Sequence, residues 1–385
     1  MYCVLLAAYS LMAADRYLFP ALAANVRQEF AFSIPRTGLL TTIFTLGLGI
    51  GGLPTGYLLS RFTRKLVMLT GIAIFSAGIA ATTIATGFWT MLICLAVTGI
   101  GMAMMATPMF ALAASYFYRN RAAAIGSVNV CYGLGGFYAP VLTPIVLASY
   151  GTWRAPMLAF AAVGFVMIVL IALLVRPWFS ETRRAAVAKA GSGGADTLMN
   201  RNTILLTALS VVEGLALYSF LGMYTTYLRV ELQYDPATAI PIMKYFGLGA
   251  LLSIFGGWLG DRLSPRVVMG GGFLLSALLG YLLYQPDASV AMRNFLTFSY
   301  GVVASAVLYV NLAGYHVKAL RGHLASRGSG MFVTTLYASS ALAGYLMGEL
   351  VSNFGWLLAG ELQMSLLCMI GAALSLALRP SEMSL

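Results

Sequence analysis

Polar residues are sparse along this chain, and they gather at intervals that leave long apolar runs between them. Twelve such runs can be drawn, at 2–23, 37–60, 66–85, 88–117, 122–148, 154–178, 202–228, 238–260, 266–284, 292–317, 328–352 and 356–378. Most reach the roughly 20 residues that an α-helix needs to cross a bilayer. In lipid every backbone amide must be paired within the protein, which leaves helices or a closed barrel. The runs are continuous and lack the strict alternation of barrel strands. The pattern predicts an all-α membrane protein. The first run begins at Tyr2 without a basic leader or a small-residue cleavage site, and it holds Asp15 and Arg16. It is therefore expected to be a retained helix and not a signal peptide.

Composition agrees with the pattern. Sixty per cent of the 385 residues are apolar and 9% are charged, too little charge to cover a water-soluble globule of this size. The four cysteines, Cys3, Cys94, Cys131 and Cys368, all fall inside apolar runs without metal-type spacing and are expected to be small buried hydrophobes. No metal or cofactor is expected. The net charge of +11 could suggest nucleic acid, but its distribution indicates topology instead. Sixteen Lys and Arg fall on the loops of one side, among them Arg61, Arg119, Arg183, Lys318 and Arg379. Six fall on the other side, and Arg16 lies inside a run, completing the 23. By the positive-inside rule both termini are expected in the cytoplasm, with the chain in an inner membrane as a multi-pass monomer.

Residues 179–201 break the apolar rhythm, from Phe179 through Arg183, Arg184, Lys189 and the Gly191–Gly194 stretch to Arg201. This is linker composition, and it divides residues 1–178 from 202–385. The halves repeat. Gly56 to Ser60-Arg61 recurs as Gly257 to Asp261-Arg262, Gly126-Ser127 as Gly328-Ser329, and Gly151-Thr152-Trp153 as Gly355-Trp356, at offsets near 202. Such spacing indicates duplication of a six-helix unit.

On these motifs the chain resembles the major facilitator superfamily. The resemblance implies twelve transmembrane helices in two pseudo-symmetric six-helix bundles. The family's loop motif after the second helix places an acid and basic residues after a glycine. Gly257, Asp261, Arg262 and Arg266 fit it, whereas the first copy, Gly56, Arg61, Arg64 and Lys65, has Ser60 where the acid belongs. An acid at a helix end facing arginines across a loop can latch one gating state.

An ionised side chain at mid-membrane costs about 2.5–3.5 kcal/mol, so each one needs a reason. Asp15 and Arg16 are adjacent, about 100° apart on a helix, so each must seek its own partner. An arginine fork suits a carboxylate or phosphate, and a nearby acid can carry a proton. Adding 201 to Asp15 gives position 216, and Glu213 lies one turn away, so the acids are expected at related cavity positions. His316 is a third candidate for proton transfer. The resemblance implies that helices 1, 4, 7 and 10 line the cavity. Tyr132 and Asn129 on the fifth helix, Tyr218 on the seventh, and Tyr309 and Asn311 on the tenth are then expected to orient a solute.

The Asp-Arg pair looks like the anion:cation symporter branch of the superfamily, where the helix 1 arginine recognises organic acids and sugar acids. The fourth helix departs from that branch. Leu95 and Met102 flank Gly99-Ile100-Gly101 where an arginine and a glutamate are usual, so proton carriage falls to Asp15 or Glu213. A helix 1 Asp-Arg also occurs in spinster-type lipid transporters. Gly126, Gly135 and Ala139-Pro140 preserve part of a helix 5 signature of drug antiporters. The expected function is secondary transport of a small organic anion driven by a proton or other cation gradient. The alternative is export of drugs or amphiphilic lipids. No phosphate loop or nucleophile–base motif points to an enzyme.

Overall fold

The structure, a computed structural model, describes residues 1–116, 121–180, 194–321 and 324–383. Arg119, Arg183, Arg184 and Lys189 lie outside the described residues, as do the side chains of Ser60 and Asn129. Each expected apolar run falls on helix. The first is α1 (Tyr2–Phe30) and the second is broken at Ile43 into α2 (Ile34–Thr42) and α3 (Phe44–Arg61). Then come α4 (Arg64–Thr83), α5 (Phe88–Tyr116), α6 (Arg121–Tyr150), α7 (Arg154–Leu174) and a short α8 (Pro177–Ser180). The second half opens with α9 (Arg201–Val230), the seventh expected run. The eighth is α10 (Pro236–Ala250) with α11 (Ser253–Arg262), bent by 42° at the join. It continues with α12 (Pro265–Leu283) and α13 (Val290–Tyr300), which passes through π-helix at Gly301–Tyr309 into α14 (Val310–Lys318). Last are α15 (Ala325–Gly360), a π-turn segment at Glu361–Leu366 and α16 (Leu367–Leu376).

By length and composition, eight described helices are apolar enough to cross a membrane, or nine with the bent pair counted as one span. The shortfall against twelve runs has physical causes. Asp15, Arg16, Arg27 and Glu29 lower the hydropathy of α1, Ile43 divides the second run, and α15 carries two runs joined at Gly355.

The repeat in the sequence is also a repeat in geometry. Gly151 and Gly355 both adopt left-handed backbone, with φ of 67° and 79°, where a side chain would be strained. Hydroxyl and carboxylate caps start matching helices: Ser33 before α2 and Asp235 before α10, Thr63 before α4 and Ser264 before α12. Each accepts a hydrogen bond from a first-turn amide. The outward faces of α7 and α12 expose Val166, Val169, Leu173, Leu274 and Leu278, as a surface bathed in lipid requires.

α1–α7 pack on one another, as do α9–α16, and the two groups meet along a seam through α2, α6, α10 and α15. At the seam backbones touch. A Cβ on Gly38 of α2 would lie 1.9 Å from the carbonyl oxygen of Gly344 on α15, and one on Gly247 of α10 would lie 2.4 Å from the Gly136 carbonyl carbon on α6. The Thr42 hydroxyl donates to the Ala341 carbonyl at 2.9 Å, and Arg229 of α9 donates to Asn25 of α1. This closure occupies the half of the seam nearest the 31–33 and 231–235 turns. Residues 194–200 lie against the end of α14, where Ala195 pairs with Leu320 and Asp196 with Arg321 at 2.6 Å.

Candidate functional site

In the other half of the seam, toward the 62–63 and 263–264 turns, the two groups part around a cavity of about 930 Å³, open solvent at its mouth included. Arg16 lines it from α1 and is 8% exposed. Its Nη1 donates to the Tyr218 hydroxyl of α9 at 2.9 Å and to the Tyr337 hydroxyl of α15 at 3.5 Å. Its guanidinium stands 5.1 Å from the Tyr132 ring of α6 and 5.6 Å from that of Tyr337. Tyr309, on the π-helical segment, shares a 3.1 Å hydrogen bond with Tyr337. Tyr9 and Phe110 add two more rings, in edge contact with each other at 6.0 Å. One cation is thus held between both halves by phenols. None of the four described ion pairs involves it, and its Nε is buried without a hydrogen-bond partner.

Of the residues expected to meet a solute, Arg16, Tyr132, Tyr218 and Tyr309 line the cavity. Asn129 cannot be assigned, because its side chain is outside the described residues. Four others lie away from the described lining, each for a local reason. Asp15 is buried, but the helical turn between neighbours points it away from the face that Arg16 presents. Glu213 is 1% exposed and sits about 140° around α9 from Tyr218. It lies within electrostatic reach of Tyr300 and Cys368 inside the second group, and its Oε1 has no hydrogen-bond partner. Asn311 instead binds α14 to α11, donating to the Gly256 carbonyl at 2.9 Å and pressing on Gly260. His316 is fully buried, with Nδ1 2.8 Å from the Leu312 carbonyl and its ring beside Phe332.

The sequence reading missed Tyr337, Tyr9 and Phe110. Tyr9 had a signal: seven residues before Arg16, it shares a helix face with it. Tyr337 had none, being one of the 21 tyrosines of the chain, with no charged residue near it in its run.

The loop motif also departs from expectation. Asp261 pairs with Lys318 at 2.7 Å, tying α11 to α14, while Arg262 stacks on Trp258 and Arg266 donates to the Leu378 carbonyl. In the first copy Arg61 stacks on Tyr57 and Arg64 donates to the Ser180 carbonyl. The acid reaches a lysine of a neighbouring helix, because that ammonium lies nearer than the arginines, which turn to rings and carbonyls. A Cβ would find open space at Gly56 and only Val310, at 3.6 Å, at Gly257. Neither glycine is forced by packing in this conformation.

The sequence profile of the Major Facilitator Superfamily matches residues 4–345. The chain belongs to that superfamily. This superfamily chain is 22% identical over 314 residues to the hexuronate transporter of Bacillus subtilis, covering 78% of this chain and 74% of that one. It is 23% identical to the 4-hydroxybenzoate transporter PcaK of Pseudomonas putida, covering 73% and 69%. Its fold matches the crystal structure of a bacterial homolog to the human lysosomal transporter Spinster, with a TM-score of 0.79 at 16% identity, covering 98% and 96%. The superfamily chain is a multi-pass membrane protein of a transporter family and not an enzyme.

Proposed function

We propose that this protein is a secondary transporter that carries a small organic anion through the Arg16 cavity by alternating access. The observation that carries the reading is the placement of Arg16: a buried cation on the cavity wall, hydrogen-bonded to Tyr218 and Tyr337 of the opposite half and without an acidic partner. Its planar fork is suited to a carboxylate. A solute that binds there touches both halves, so its binding energy acts on the seam that must rock. Two relatives are named for solutes that are themselves anions, a hexuronate and a hydroxybenzoate. Residues 1–178 and 202–385 are the rocking units, joined by the 179–201 linker. Both termini are cytoplasmic and the membrane is an inner membrane. The cavity half of the seam then faces inward.

The driving force is a proton or other cation gradient, with Asp15 and Glu213 as carriers and His316 as a further relay. Asp15 and Glu213 are both buried, where a carboxyl's hold on its proton responds to any change in its surroundings. Glu213→Gln is expected to remove the dependence of uptake on the pH gradient while exchange continues. Unchanged pH dependence takes Glu213 out of the coupling path. A thermal-shift screen against organic acids and lipophilic cations tests the solute class. Stabilisation by acids supports the proposal, because a ligand that binds only the folded state raises its stability by mass action. Stabilisation by lipophilic cations alone replaces it with export of amphiphiles.

A further inference from the structure

The inventory of the cavity wall goes further than its one charge. Among the described residues it holds no carboxylate, amide, imidazole or lysine beside Arg16. Four of its eight hydroxyl side chains are engaged already. Tyr218 accepts from Arg16, Tyr309 and Tyr337 bond each other, and Ser253 donates to the Ala250 carbonyl at the end of α10. Tyr9, Thr107, Tyr132 and Ser305 add scattered hydroxyls, and the rest is aromatic ring and aliphatic surface, including Phe110, Leu48, Leu217 and Val333. A sugar acid entering this space would surrender water from hydroxyls all round its ring, whereas the wall's remaining hydroxyls are scattered among apolar side chains. A dianion would bring a second carboxylate with no described cation to meet it. An acid with one carboxylate and an apolar ring fits both parts of the wall, its charge on Arg16 and its ring among the aromatic side chains.

Resting on the reading of Arg16 as the anion clamp, we infer that the cavity selects monocarboxylates with an aromatic or apolar body over sugar acids and dicarboxylates. Tyr132 and Phe110 supply the ring contacts.

The test uses the purified full-length protein, with benzoate, cyclohexanecarboxylate, glucuronate and terephthalate measured by calorimetric titration and benzyltrimethylammonium as a cationic control. Benzoate and cyclohexanecarboxylate are expected to bind at least about tenfold more tightly than glucuronate or terephthalate. Phe110→Ala is expected to bring the benzoate-to-glucuronate ratio below about threefold, and Tyr132→Leu to do the same should Phe110→Ala fail to fold. Glucuronate or terephthalate binding as tightly as benzoate overturns the selectivity and leaves the anion reading standing. Binding of the ammonium ion alone, or of none of the five compounds, overturns the selectivity and the anion reading together.

Discussion

The two halves of the seam are built from opposite materials. On the closed half, backbones press together: Gly38 on Gly344, Gly247 on Gly136, and Gly348 on Pro35, where a Cβ would come within 2.5 Å of the proline Cα. On the cavity half the same two groups are held apart by large side chains around a single guanidinium. None of the four described ion pairs crosses from α1–α7 to α9–α16. The contacts that do cross are mostly dispersion, between glycine surfaces and between rings such as Tyr17 and Phe246, with a few hydrogen bonds. Such contacts are individually small and depend on close fit, so they can be made and broken without stranding a buried charge. Arg16 and Arg229 are the exceptions, charges that bridge both groups, and Arg16 sits where a solute can change its partners.

Altering the closed half should have the largest effect. Gly38→Leu puts a side chain where the Gly344 carbonyl lies, and even modest overpacking costs about 1–3 kcal/mol. Uptake into proteoliposomes is expected to fall at least about tenfold, since each 1.4 kcal/mol is a factor of ten. Spin-label distances between α2 and α15 should widen. Wild-type uptake with an unchanged distance would show that the glycine contact is not the seal. A smaller effect is expected in the cavity. Tyr337→Phe keeps the ring and removes the hydroxyl that meets Arg16 and Tyr309. Anion affinity should weaken by about 0.5–1.5 kcal/mol, read by titration.

The smallest effect belongs to the rim, outside the membrane-spanning part. Arg154 donates to both Glu29 oxygens at 2.6 and 2.9 Å, and the Trp153 indole donates at 2.7 Å. The hydrogen bond from Arg154 holds the Glu29 carboxyl below its usual range. A depressed acid adds stability that is fully present above the unfolded carboxyl pKa of about 4.3 and is lost as pH falls through the lower folded value. Glu29→Gln should therefore lower the melting temperature slightly at pH 7, with at most about 1 kcal/mol at stake for so exposed a pair. The difference from wild type should vanish in strong acid. A gap that persists there would mean that the pair acts through packing and not charge.

Much of this was legible in the sequence, and the parts that were not share a cause. Apolar length and the positions of Gly151 and Gly355 are local properties, so the helices and their repeat could be read directly. Arg16 stood out because a charge in an apolar run has few explanations. The direction in which a side chain faces depends on how a helix is rotated in its bundle, which one periodic apolar run does not encode. Glu213 was placed in the cavity by its helix and its repeat offset from Asp15, and Asn311 by its helix alone, yet each turns into the second group of helices. Tyr337 reaches the cavity from a helix that the resemblance did not assign to its lining. The partner of Asp261 depended on where the end of α14 would fall, which no motif states.

The central claim is that an anion binds on Arg16, and equilibrium binding of radiolabelled benzoate and glucuronate to wild type and Arg16→Ala tests it most directly. The account predicts that whichever acid binds the wild type loses at least about thirtyfold in affinity in Arg16→Ala, the roughly 2 kcal/mol or more expected when one side of a buried charge contact is removed. The variant should keep the wild-type melting profile in the absence of solute. Binding retained within about threefold by a folded Arg16→Ala would contradict the account.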